Sequence, residues 1–327
     1  MYKIMKPKII AIVGPTASGK SSLAAEIAKK FNGEILCVDS RTVYRGMDIG
    51  TAKSEGERIT NVGEYTNCKF YEYTNIDGIR NYGLDLVDLD EEMNGALFKE
   101  YAEKIIAEIL ERGHLPILVG GTGLWFDMII DNLEMPEVEP DLVLRAELEK
   151  RSEEELFAEF EKIDPVGAEV IDKHNKRRLV RALEVCKKTG RLFSELRKKG
   201  QSKYDCLWLG IDWPKEVLDE RINRRVDEMV AVGVNGYSPL IEEVKQLKEK
   251  YGCVAYAMSG IGYQEICEHY RRGEWPFTPT VITEISDEIK KNTRQYAKRQ
   301  RTWFKRNKNI RWVKVVTEAE ELVNDWI

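Results

Sequence analysis

At 327 residues, 43% of them hydrophobic, the chain is long enough to bury one large core, or one core with a smaller attached domain. A third of the residues are charged, yet the net charge is only −5, which excludes a field strong enough to gather nucleic acid over the whole surface and leaves local basic patches for that task. Cysteines 37, 68, 186, 206, 253 and 267 are scattered, without a C-x-x-C pair or a nearby histidine cluster, which argues against structural zinc and against a disulfide framework. Met1–Pro7 lacks a signal-type apolar region, and no apolar run approaches the ~20 residues of a membrane span. A reduced, cytoplasmic setting with no membrane partner is expected.

The first predicted element is a strand over Lys8–Val13. It runs into Gly14, Pro15, Thr16, Ala17, Ser18, Gly19, Lys20 and Ser21, and a helix follows from Ser22. This is a complete G-x-x-x-x-G-K-[ST] phosphate loop in its strand–loop–helix setting. Amides of the loop and helix N-terminus converge on one small space, where the helix dipole favours an anion; Lys20 adds a charge and Ser21 a hydroxyl for Mg²⁺. By composition the fixed positions arise by chance in roughly one chain of this length in a hundred. The loop alone does not say which phosphate compound it holds.

Further strands are predicted at Ile35–Val38, Leu84–Leu89, Leu115–Val119 and Leu207–Ile211, with helical patterns between several of them, such as Ala96–Arg112. This alternation predicts an α/β fold built on a parallel sheet covered by helices. Asp39 closes the second strand at the carboxyl edge where α/β sheets bind ligands, although Asp-Ser also suits a helix or turn cap. Tyr44–Lys53 is too glycine-punctuated for a long helix and reads as a shaped loop near the site. The polar, Tyr- and Asn-rich stretch from Ser54 to Tyr82 suits a loop or hairpin carried on the core. Gly120-Gly121-Thr122-Gly123 is a second glycine turn that admits a ligand closely and leaves the Thr122 hydroxyl at the crest of the sheet.

After Asp131 the pattern turns helical through Leu142–Lys150, Glu153–Lys162 and Asn175–Lys188, with no strand signal. The expected organisation is therefore a core over 1–130, an inserted all-helical subdomain over 131–190 and the rest of the core over 191–327. In the last inserted helix Arg177, Arg178 and Arg181 crowd together with no carboxylate three or four residues upstream of Arg177, which favours contact with an anion. Arg221 and Arg225 share one side of a later helix, placed to reach a pyrophosphate or to pair with nearby acids.

Ile289–Arg311 holds ten Lys/Arg and no Asp or Glu. As a helix it sets Lys290, Arg294, Lys298, Arg301 and Lys305 on one side, with Ile289, Tyr296 and Trp303 opposite, so one face is expected to pack and the other to offer a line of cations to a phosphate backbone. Arg311–Val316 is compatible with a strand. Three histidines in three different segments build no nucleophilic triad.

Gly14–Ser21, Val38–Ser40 with Tyr44–Lys53, and Leu118–Leu124 together resemble the tRNA dimethylallyltransferase family, and the similarity continues through Asp164-Pro165, Arg178–Val185, Thr189-Gly190, Arg225–Met229, Gly260–Tyr263 and Ala297–Phe304 in the family's order. It covers about residues 8–312. The resemblance implies a P-loop nucleotide-hydrolase-like core whose loop holds the diphosphate of dimethylallyl diphosphate, with Mg²⁺ on Ser21. It further implies transfer of the dimethylallyl group to N6 of an adenosine beside the tRNA anticodon. Asp39 would take the N6 proton, Arg225 would neutralise the departing diphosphate, and Thr122 would act beside them.

Contacts to the tRNA anticodon stem-loop would come from Asp39, Ser40, Arg41, Thr42, Thr122, Arg145, Arg177, Arg178, Arg181, Gly260, Gly262, Tyr263 and Gln264. The chain departs from the family's pattern at Thr42, where a glutamine is usual, and at Tyr82–Asp88, where a His-His-Leu-Ile-Asp block is usual. It departs also at Arg177, in the lengthened Tyr/Asn-rich stretch and in an expanded Ala231–Leu240. A small-molecule or nucleoside kinase, a tRNA-binding homologue with altered activity and a prenyltransferase for free adenine nucleotides are the competing readings. The expected assembly is a monomer.

Overall fold

The computed structural model describes residues 6–54, 56–65, 68–75, 78–134, 136, 138–197, 200–232 and 238–327. Two compact units emerge: Met1–Phe126 with Tyr204–Ile327, and the continuous segment Asp127–Lys203.

In the first unit β1 (Lys8–Val13) is followed by α1 (Lys20–Lys30), β2 (Gly33–Val38), β3 (Gly56–Tyr65), β4 (Cys68–Asn75), β5 (Arg80–Tyr82), α2 (Gly95–Glu111) and β6 (Leu115–Gly120). The helix α3 (Gly123–Ile130) then leads towards the second unit. Strand order in the sheet is β3-β4-β5-β2-β6-β1, continuing into two strands from after the insertion, β7 (Asp205–Ile211) and β8 (Arg311–Val313). Six strands, β5 to β8 in that order, are mutually parallel, and the β3–β4 hairpin extends the β5 edge antiparallel. The Tyr/Asn-rich stretch is thus a hairpin, with its tip at residues 66–67 outside the described residues.

Ile9–Val13 is wholly buried, as an unbroken apolar run in the middle of a parallel sheet requires. One face of the sheet carries Ile10, Ile12, Ile117, Val119 and Leu209 against Leu23, Ala24 and Ile27 of α1 and against Ala319 and Val323. Those last two lie on a C-terminal helix, Val316–Trp326, where the sequence suggested only a tail.

The sheet order decides where the site lies. The chain leaves β1 through α1 and returns in β2 two places away, with β6 filling the gap. The carboxyl ends of β1, β2 and β6 are therefore neighbours, and so are the phosphate loop, Asp39 and the Gly120–Gly123 turn that follow them.

Leu84–Leu89, predicted as a strand, is not one. The strand lies earlier, at Arg80–Tyr82. Gly83 turns the chain at φ +82°, where an added Cβ would lie 2.4 Å from the Cys37 carbonyl oxygen. Beyond it the segment makes one bridge, Tyr44 to Val87. Its leucines are buried because it lies against Thr42 and Val43, whose carbonyls receive the Asp85, Leu86 and Val87 amides.

The second unit consists of α4 (Leu142–Leu148), α5 (Glu153–Ile163), α6 (Pro165–Val170), α7 (Lys176–Thr189) and α8 (Phe193–Leu196). Its own core gathers Leu148, Leu156, Phe160, Leu179 and Leu183. Asp164 caps α6 through the Gly167 amide at 2.8 Å and also receives the Ser194 amide and hydroxyl, both at 2.7 Å.

After β7 come α9 (Lys215–Val230), α10 (Pro239–Tyr251), α11 (Tyr263–Arg271), the long α12 (Pro279–Phe304), β8 and α13 (Val316–Trp326). Cys253, just past α10, forms a disulfide with Cys267 of α11. The scatter of cysteines argued against a disulfide framework and gave no hint of this pair: α10 and α11 pack together, and a 14-residue separation in sequence carries no sign of that packing. Among the described residues no helix is long and apolar enough to cross a membrane.

Candidate active site

The phosphate loop takes its shape from its glycines and is held in place by side chains from other segments. Gly14 stands at φ +152°, and a Cβ there would lie 2.4 Å from the Ile211 carbonyl oxygen of β7. Gly19, at φ +95°, hands the chain into α1. Lys20 donates to the Pro15 carbonyl at 2.6 Å across its own loop. Burial lowers its pKa to about 8, Asp39 opposes that shift and Arg225 adds to it.

A cavity of about 650 Å³ opens over this loop, lined by Lys20, Ser21, Cys37, Asp39, Lys53, Arg221 and Arg225 among others. A second of about 340 Å³ adjoins it and is lined by Ser40, Arg41, Gly260, Gly262, Tyr263 and Gln264, with Ile222, Val226, Met229 and Ile289 as an apolar wall. Thr16, Ala17, Asp39, Thr51, Arg225 and Tyr296 line both cavities, so the two are halves of one site. The first half is cationic and amide-rich; the second combines an apolar wall and two tyrosines with Arg41, Arg299 and Gln264.

Asp39 stands at the junction. Its Oδ1 accepts the Arg41 amide at 2.9 Å. The Thr122 hydroxyl accepts the Ser40 amide at 3.1 Å, which fastens the glycine turn after β6 to the residue following Asp39. Thr122 thus sits behind the cavity wall and positions rather than lines it. Arg225 reaches from α9 to the Thr16 hydroxyl at 3.4 Å and to the Thr51 carbonyl at 3.2 Å. Burial pulls its pKa down while Asp39 resists. Arg221, for which spacing left pyrophosphate and neighbouring acids open, donates from Nε to the Ala17 carbonyl at 2.7 Å and so holds the phosphate loop, while also lining the first cavity.

The Tyr44–Lys53 loop is shaped as expected, by partners sequence reasoning missed. Lys53, almost wholly buried, donates to Asp85 and Asp48 at 2.6 Å each and to the Tyr44 carbonyl at 2.8 Å. Glu243 of α10 receives the amides of Asp48, Ile49 and Gly50 and the Tyr263 hydroxyl, the last at 2.6 Å. Burial raises the Glu243 pKa against these four bonds. An acidic residue on one more amphipathic helix gives no sequence sign of such a role.

Burial, aided by Asp39, pushes the Cys37 thiol up to about 12. It raises the Tyr296 phenol too, with Asp39 adding to the shift and Arg41, Arg299 and a bond to Gln300 opposing it. Thr42 is buried, its hydroxyl 3.4 Å from Cys37 Sγ and from the Asp39 carbonyl; it braces the turn from within. Tyr82 likewise serves the fold, donating to buried Glu34 at 2.7 Å.

The basic face of α12 is corrected by its surroundings. Lys290 pairs with Asp227 at 2.5 Å, Arg294 donates to Asn223 at 2.5 Å, and Arg301 pairs with Asp212 at 2.9 Å, with Lys305 3.7 Å from the same acid. Much of the predicted cationic line therefore seats the helix on α9 and on the β7–α9 connection. The exposed cations of α12 are Lys291, Lys298 and Arg299, and Arg299 also lines the second cavity.

In the helical unit Arg177 and Arg178 are exposed. Arg145 and Arg181 are not solvent-facing charges awaiting an anion. Arg145 forks onto Glu184 at 2.8 and 2.9 Å, and Arg181 holds the same carboxylate at 2.5 Å and the Val138 carbonyl at 2.8 Å. Burial would raise the Glu184 pKa, but this cage and the Asp141 amide bring it down to about 2. The carboxylate that answers Arg181 lies three residues downstream, whereas the sequence argument for an anion rested on the absence of one upstream of Arg177.

A protein-family model described as IPP transferase matches residues 42–307. The chain belongs to this family. Similar relatives are the tRNA dimethylallyltransferase of Oceanobacillus iheyensis, 39% identical over 95% of this chain and 92% of the relative, and that of Acetivibrio thermocellus, 40% identical over 93% and 91%. Among solved structures, the full-length tRNA isopentenylpyrophosphate transferase of Bacillus halodurans superposes with a TM-score of 0.65 at 36% identity, covering 98% of this chain and 95% of its own. A eukaryotic dimethylallyltransferase acting on tRNA gives 0.67 at 28% identity, covering 91% of this chain and 69% of its own. A tRNA isopentenyltransferase fold of P-loop type accounts for the sheet order and the loop after β1.

Proposed function

We propose that the chain transfers a dimethylallyl group from dimethylallyl diphosphate to N6 of an adenosine beside the anticodon in tRNA. The observation that carries this reading is the two-part cavity, in which a phosphate loop opens directly onto a compartment with an apolar wall and two tyrosines, with one carboxylate, Asp39, at the boundary.

In the reaction the N6 nitrogen attacks the allylic carbon, the carbon–oxygen bond breaks, and diphosphate leaves with the bonding electrons. Lys20, Arg225 and the loop amides neutralise that departing charge. Asp39 accepts the N6 proton, which the exocyclic amine sheds as the new bond forms. Ile222, Val226, Met229 and Ile289 offer the prenyl chain an apolar surface. The adenosine reaches this chamber by leaving its stack, passing Arg41 and the Gly260–Gln264 segment.

Mg²⁺ fits the donor set. The described residues hold no cluster of three or more His, Cys, Asp or Glu, but Mg²⁺ needs few protein ligands where a substrate supplies phosphate oxygens. Ser21 Oγ would hold it beside the diphosphate, and when bound it would add positive charge at the leaving group.

Incubation with labelled dimethylallyl diphosphate and tRNA, followed by mass spectrometry of the nucleosides, is the direct test. Asp39→Asn should lower kcat by about 10²–10⁴-fold with the donor KM little changed, the range for removal of a general base. An undiminished rate removes Asp39 from that role, and γ-phosphate transfer from ATP without prenyl transfer overturns the reading.

A further inference from the structure

Gln300 is 5% exposed on α12 and belongs to neither sequence motif of the site. Its amide nevertheless touches both catalytic turns. Oε1 accepts the Thr16 amide of the phosphate loop at 2.8 Å, and Nε2 donates to the Gly121 carbonyl of the glycine turn at 3.0 Å. One turn earlier on the same helix, Tyr296 bonds to Gln300 and lines both cavities.

The glycine turn is built around this side chain. A Cβ at Gly121 would lie 2.2 Å from Gln300 Nε2, and the same Cβ position is 3.7 Å from Asp39 Oδ2. Gly123 similarly admits the Trp303 ring, 2.2 Å from where its Cβ would be. The turn that carries Thr122 is thus pressed against α12 at two glycines.

From this geometry we infer that Gln300 is a positioning residue that sets the phosphate loop and the Asp39–Thr122 wall at a fixed separation. The inference rests on the prenyl-transfer reading. Only an uncharged amide gives one acceptor and one donor in this span; a carboxylate would meet the Gly121 carbonyl with repulsion, and an aliphatic chain would bond to neither. The half-buried Thr16 amide and the buried Gly121 carbonyl would then lack their partner. Because donor and acceptor substrates are held by different turns, a slack joint between the turns costs alignment of the reacting atoms, and the phosphate loop, whose Thr16 amide loses its partner, also loosens its hold on diphosphate while the tRNA side keeps its own contacts.

Two variants test this in the full chain: Gln300→Met, which removes both bonds, and Gly121→Ala, which leaves Gln300 in place but drives its amide out of the joint. Wild-type prenyl transfer to tRNA is measured first, and its absence would sink the functional reading rather than this one. Both variants should lower kcat by about tenfold or more at saturating substrates, a loss of near-attack alignment. Inorganic diphosphate should bind several-fold more weakly, and tRNA affinity should stay within about twofold. If Gln300→Met fails to fold, Gly121→Ala and its diphosphate titration decide. Folded variants with wild-type kcat and wild-type diphosphate affinity overturn the inference. So does a loss confined to tRNA affinity.

Discussion

Lys20 is the residue whose chemistry is most exposed to pH. Its pKa, lowered to about 8 chiefly by burial, means that the free protein carries the cation below that pH and loses it above. The cation attracts diphosphate and the neutral amine does not. Donor kcat/KM should therefore hold steady below about pH 8 and then fall by about tenfold per pH unit, as a single proton binding demands. Cys37, pushed up to about 12, and Tyr296, raised by burial, stay protonated across the same range and do not confuse the assignment. A rate–pH profile of wild type against Lys20→Met checks it: the variant should be uniformly slow with no alkaline limb. A wild-type profile flat from pH 7 to 10 would contradict the assignment. The loop itself was legible because its function is written in contiguous residues, Gly14–Ser21. What Gln300, inside the Ala297–Phe304 block, and Glu243 do was not, since each acts on backbone atoms of segments nearly two hundred or more positions away, and a backbone amide has no sequence signature.

At the level of elements, α12 shows what a helical wheel reveals and what it conceals. Amphipathicity and the buried Ile289 and Tyr296 side were readable, but so concentrated a run of cations suggested a free basic face. Which face meets solvent depends on Asn223 and Asp212, 71 and 89 residues from their arginine partners. Desolvated cations there need those partners more than the RNA does. The two groups should separate by experiment. Replacing exposed Lys291 and Lys298 together by Gln should weaken tRNA binding and reduce the log–log salt slope by about 0.7 for each phosphate no longer neutralised, the single-strand value. Replacing Lys290 and Arg301 by Gln should instead lower the melting temperature and leave the salt slope near wild type. Equal effects of the two pairs on the slope would mean that the whole line reaches RNA after all. The strand assigned to Leu84–Leu89 fails for a related reason: hydrophobicity reports burial, and burial under the Thr42–Val43 turn looks the same in sequence as burial in a sheet.

Across the whole molecule, the parallel sheet and the all-helical segment were readable from periodicity, because strands of four to six apolar residues and helices of 3.6 periodicity leave different marks. The helical unit Asp127–Lys203 has its own hydrophobic cluster and its own buried charge cage, centred on Phe160 and Glu184. The phosphate loop, Asp39, Arg225 and both cavities are made wholly by the other unit. If the helical unit serves tRNA recognition, damage to its core should separate the two substrates. Phe160 is fully buried, and Phe160→Ala should cost about 3–5 kcal/mol, the usual range for a large aromatic deleted from a core. Since that core is shared with no residue of the phosphate site, inorganic diphosphate should still bind with wild-type affinity in a calorimetric titration. Prenyl transfer to tRNA should fall steeply, first through KM for tRNA. Loss of diphosphate binding in step with tRNA modification would show instead that the two units stand or fall together.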